Sequence, residues 1–145
     1  MAEAAEKPDF RSRFLEGVEH FNSREFWEAH ESWEELWLVA ESEAEQFLQG
    51  MIQMAAAYHH VQRGTVRGAV RLFDAAMRRL SAFPPGYCGI DRSRVEAKAL
   101  PHRAWASDAA RRAGEANATA ERIGEDEYPG IAVVDFRDMP PQEQW

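Results

Sequence analysis

The stretch Glu28-Ala-His-Glu-Ser-Trp-Glu34 holds the densest chemistry in the chain. His30 and Glu34 are four residues apart, so on a helix they share one face, with Glu31 beside them. The string His30-Glu31-Ser32-Trp33-Glu34 is one residue away from His-Glu-x-x-His, where two histidines on adjacent turns bind zinc and the glutamate acts as base. Glu34 stands in place of the second histidine. A carboxylate can ligate zinc, yet a zinc centre needs a further ligand that this segment does not contain. His59 and His60 offer the nitrogen, which makes His30, Glu34, His59 and His60 the candidate set for a divalent metal. The plainer arrangement is a polar cluster of His30, Glu31, Glu34 and Gln53 at the boundary of a Trp-rich core, where buried polar groups must find partners. The plainer arrangement is favoured, because the metal motif is incomplete.

These residues need helices to position them. Phe10, Phe14, Gly17, Val18 and Phe21 fall in one arc at helical spacing, which predicts a first amphipathic helix. Asn22 and Glu25 have the spacing of a capping box, so a second helix is expected from about Arg24, with the apolar arc Phe26, Ala29, His30, Trp33, Leu36, Trp37, Ala40. Ser42 and Glu45 repeat that spacing ahead of a third helix running to Arg63. Its apolar residues, from Phe47 to Val61, cover about half the circumference, more than a surface helix requires, and place it at the bundle centre. His59 lies at the edge of this arc, while Gln49, Gln53 and His60 cluster on another side. Only one of these sets can face the second helix directly.

Gly64 suits a helix C-terminus and Thr65 the next N-terminus. Val66, Ala69, Val70, Phe73, Met77 and Leu80 then mark a fourth helix. Pro84 to Ile90 reads as a loop. Asp91 is expected to cap a short helix to about Ala99, and Pro101 to break it before an Ala-rich helix from Arg103 to about Arg122. Ile131 to Phe136 could form one short strand, and Pro140-Pro141 suggests an extended end. The expected fold is all-α: a compact bundle of five or six helices over residues 8–124, with residues 125–145 as an extended C-terminal appendage.

Composition narrows the function. A chain of 145 residues is about one domain long. The single Cys88 cannot form an internal disulfide, and there is no thiolate pair for zinc. It has no local base and reads as a loop thiol. No apolar run is long enough for a membrane span, and the polar start is unlike a signal peptide, so no membrane association and a cytoplasmic setting are expected. A net charge of −8 repels a phosphate backbone, so nucleic acid is not an expected partner. Arg63-Gly-Thr-Val-Arg67-Gly68 sets two arginines near a helix start, which suits an anion. Without phosphate-loop spacing it reads as a plain turn.

Trp27 and Leu38 fall outside the main arc of the second helix, beside Glu31 and Glu34. A second apolar patch on one helix implies two neighbours, one of which can be another subunit.

Taken in order, Phe21-Asn22, Phe26-Trp-Glu-Ala-His-Glu31 with Glu34 and Trp37, Phe47-Leu-Gln-Gly-Met-Ile-Gln53-Met-Ala, and Arg63-Gly64 with Gly68-Ala69 form a series. It resembles the family called domain of unknown function 309, over about Phe10 to Ile90. Trp27 departs mildly from the Tyr or Phe expected before Glu28. The resemblance implies a small soluble helical protein without an agreed activity. The residues themselves favour a non-catalytic module that forms a homo-oligomer, most simply a dimer, or binds another protein. The alternative is a metal-dependent enzyme, with hydrolysis as its reaction, centred on His30 and Glu34.

Overall fold

A computed structural model describes residues 9–113. Its elements are α1 (Phe10–Asn22), α2 (Phe26–Trp37), α3 (Ser42–Arg63), α4 (Val66–Leu80), a 3-10 turn over Tyr87–Gly89, and α5 (Arg92–Ala113). The fold is all-α, with five α-helices and no strand among the described residues. The expected strand at 131–136, the end of the last helix beyond Ala113 and the appendage lie outside them. No described helix is long and apolar enough to cross a membrane.

The core is aromatic, and the helical spacings account for its members. Phe14, Phe21, Phe26, Trp33, Tyr58 and Phe73 are all fully buried. α3 runs through the middle and packs extensively against both α2 and α4, as its wide apolar arc requires. Gly17 is where α1 meets α2: the Trp33 ring lies directly over it, and Trp33 Nε1 donates to the Phe14 carbonyl at 3.1 Å.

The predicted helix starts need correction. Neither capping box forms, since neither α2 nor α3 has a side-chain cap hydrogen bond. Arg24 takes a left-handed φ of 64°, which delays α2 to Phe26. Glu25 turns back to His20, its carboxylate 3.1 Å from Nδ1, and the Arg24 carbonyl accepts from Gln62 Nε2 at 3.0 Å. Contacts to the neighbouring helices therefore replace the local cap. At the other end of α3 the expectation holds: Gly64 closes it at φ 79°, a conformation that glycine adopts without a Cβ penalty.

Pro101 does not break the chain into two helices. α5 is continuous through it, because Val95, Ala99, His102, Ala106 and Ala109 form one buried seam on both sides of the proline. The ring itself is exposed, as is Ala97, whose carbonyl loses its helical partner and can turn to water. Packing on α4 outweighs the lost hydrogen bond. Arg103 ties the second half of α5 to Asp74 of α4 at 2.9 and 3.1 Å.

Candidate functional site

The outer side of α2 carries the candidate site. His30 Nδ1 and Glu34 Oε2 are 3.4 Å apart. The pair is close enough for an ion pair when His30 is protonated. It lacks the alignment of a hydrogen bond, so Nδ1 stays buried and unsatisfied. The spacing argument thus brings His30 and Glu34 together, and the bond expected between them is the part that is missing. Trp27 stacks on the His30 ring with centroids 4.8 Å apart and planes at 10°, and its other neighbour is His59 at 5.2 Å. Trp27, His30, Glu31, Glu34, Glu35 and Leu38 line a shallow depression of about 370 Å³.

Of the two adjacent histidines, His59 is the one that meets α2, through Trp27. Burial, then the Arg63 charge and then His60, hold its pKa below 6.5, against a smaller opposing pull from Glu28. His60 points to the other flank. Its ring lies beside Gly68 of α4, where an added Cβ would stand 3.2 Å from Nδ1, and it meets the Thr65 hydroxyl. Gln53 is seven residues from His60 and seven from Gln46, which hydrogen-bonds Arg79 of α4. At two turns per seven residues these three form one stripe along α4. Gln53 Oε1 is buried there without a partner. The structure therefore places Gln53 and His60 on one flank of α3, and Trp27, His30, Glu31, Glu34 and His59 on the other. Among the described residues no three His, Cys, Asp or Glu side chains are grouped to hold a metal ion.

Two polar features escaped the sequence. Tyr58 and His102 are both buried and share a 2.7 Å hydrogen bond between the hydroxyl and Nδ1. The signal for His102 was its place in the α5 seam, hidden by the supposed break at Pro101. Arg13 Nε donates to Glu35 at 2.7 Å, fixing α1 to the same helix that carries the candidate site. Cys88 is fully buried, and burial pushes its thiol far up, so it is a packed side chain and a poor nucleophile. A larger cleft, about 590 Å³, lies between the start of α3 and the end of α4 over Phe83 and Tyr87. Burial, Cys88 and Glu43 push the Tyr87 hydroxyl up to about 12.

The fold and this site define a small helical bundle with an aromatic-and-acidic patch on α2. The family model described as Domain of unknown function (DUF309) matches residues 14–72. Over this stretch, which takes in the patch, all of α2 and α3, and the first half of α4, the chain is similar to that family. No curated protein matches the chain.

Proposed function

We propose that this protein is a non-catalytic helical module that pairs with a second copy of itself through the outer face of α2. One observation carries the reading: Trp27 is 45% exposed and Leu38 is 69% exposed, on the rim of one depression. Tryptophan is the residue most enriched where protein surfaces bind tightly, and its exposure on a free surface leaves a large apolar area in water. A two-fold axis through this face would set each Trp27 against the partner's apolar rim. The unsatisfied His30 Nδ1 at the floor of the patch supports the same reading, since an incoming polar group can complete it.

Charge sets the conditions. Glu31 and Glu34 share the face, with Glu35 held by Arg13, so pairing brings like charges together and tightens when salt screens them. Light scattering tests this directly. The mass should rise from that of one 16.5 kDa chain toward twice that value with concentration, more readily at high salt, and Leu38→Glu should return it to the single chain. A single-chain mass for the wild type at every concentration and salt would overturn the reading.

A further inference from the structure

The cleft of about 590 Å³ between the start of α3 and the end of α4 shares no lining residue with the α2 patch, so its occupant is independent of pairing there. Small-ligand sites run from about 300 to about 1,000 Å³, and this one falls within that range. Its floor is aromatic. Phe83 and Tyr87 lie 4.8 Å apart by ring centroid, and both rest on the buried Phe47 ring, at 5.3 and 4.7 Å. Tyr87 is half-buried and leaves part of its surface in the cleft. Among the described residues its hydroxyl has no hydrogen-bond partner. Burial, Cys88 and Glu43 together keep that hydroxyl protonated, so it is a donor at neutral pH.

The rim is charged, with both signs. Gly50 lets the end of α4 close on α3: a Cβ there would stand 2.9 Å from Leu80 Cδ2 and 3.3 Å from Arg79 Cβ. Arg79 therefore rises from a backbone held against α3, and its Nη1 donates to Gln46 Oε1. That bond orients the guanidinium and leaves its remaining N–H groups for another acceptor. Glu43 lines the same cleft one turn before Gln46, about 4.5 Å along the helix. Among the described residues neither Arg79 nor Glu43 has an oppositely charged partner, and the two do not pair with each other. A simple acid would answer Arg79 alone, and a simple amine Glu43 alone. A zwitterion answers both without bringing a net charge into the cleft.

We propose that this cleft binds a free aromatic α-amino acid, with its carboxylate on Arg79, its ammonium on Glu43 and its ring on Phe83 and Tyr87. An aromatic side chain makes edge and offset-stacked contacts with these rings that an aliphatic one lacks. Each charged contact is partly exposed and modest alone, so selectivity comes from meeting both with one rigid ligand.

Isothermal titration calorimetry of the full chain with L-phenylalanine tests it. Two blocked probes separate the contacts: L-phenylalaninamide lacks the carboxylate and N-acetyl-L-phenylalanine lacks the ammonium. At about pH 6 the free α-amino groups are protonated, and ~0.15 M salt screens the net charge of the chain. L-Phenylalanine should bind about fivefold more tightly than either blocked probe, the scale of one partly exposed charged contact. L-Alanine, without the ring, should give no saturable heat in the millimolar range. Arg79→Gln should lower L-phenylalanine to the affinity of its amide and leave the amide unchanged. Glu43→Gln should do the same with respect to the acetylated probe. Circular dichroism shows whether each variant keeps its helices, and the blocked probes test the wild type without any substitution. The proposal is overturned if L-phenylalanine gives no saturable binding to the wild type. Equal affinity for all three phenylalanine probes would overturn it too, since that is how an apolar groove covered by a peptide or a second copy behaves.

Discussion

At the scale of single residues, two positions have effects whose sign is set by competing terms. Gly17→Ala exchanges a poor helix former for the best one, a gain of about 1 kcal/mol in an open helix. Here the new Cβ would stand 2.1 Å from Trp33 Nε1 and 2.5 Å from Cε2. Trp33 is fully buried and bonded to Phe14, so it has nowhere to withdraw. The clash wins, and denaturant unfolding should show a net loss of about 3 kcal/mol, the upper end for overpacking. His59 gives a pH effect. Its folded pKa lies below 6.5, so on acidification the unfolded chain takes up the proton first. Stability supplied by the neutral imidazole is intact above about pH 6.5, falls as pH drops toward the folded value, and is flat below it. Melting temperature should accordingly decline between about pH 7.5 and about pH 5 by less in His59→Asn than in the wild type. Equal declines would mean that other groups carry the whole dependence.

At the scale of elements, the clearest prediction concerns α5. Proline inside a helix is about 3 kcal/mol worse than alanine, and part of that returns through the stiffer unfolded chain. Pro101→Ala should therefore raise stability by about 1–2 kcal/mol without moving any contact, measured as a higher melting temperature. The same residue shows where the sequence misled. Periodicity alone located α1, α3 and α4, because each has a long run of apolar residues at one spacing and a plain terminator such as Gly64. It failed wherever a tertiary contact overrode a local signal. The capping boxes at Asn22 and Ser42 gave way to left-handed Arg24 and Ser42, and the proline break gave way to a seam of five buried residues. The candidate site divides along the same line. His30 with Glu34 was legible from four-residue spacing, and the exposed face of Trp27 and Leu38 from their position outside the arc. The choice between His59 and His60 was not, since it depends on Trp27 lying over one and Gly68 admitting the other. Gln53 shares the seven-residue spacing of Gln46 and His60, and its Oε1 is buried without a partner.

At the scale of the molecule, each helix packs chiefly on its neighbours in sequence. Among the described residues, Tyr58 of α3 bonds across that order to His102 of α5, 44 residues away, through the buried hydroxyl and imidazole. Tyr58→Phe keeps the ring among Phe21, Phe26 and Phe73 but removes the hydroxyl that bonds His102 Nδ1, at a cost of about 1–3 kcal/mol. How that cost divides between rates is informative. A chain whose contacts are mostly local has low contact order and reaches its transition state quickly, before distant segments close. The bond to His102 closes only once α5 docks, after the sequence-adjacent pairs α1–α2, α2–α3 and α3–α4 can form. The variant should refold at nearly the wild-type rate and unfold faster by the full loss, a φ-value near zero. α5 then behaves as a late-closing clasp. Under native conditions its amides should exchange with solvent before those of α3, which makes the lifetime of the folded state a property of the helix that the family match leaves out.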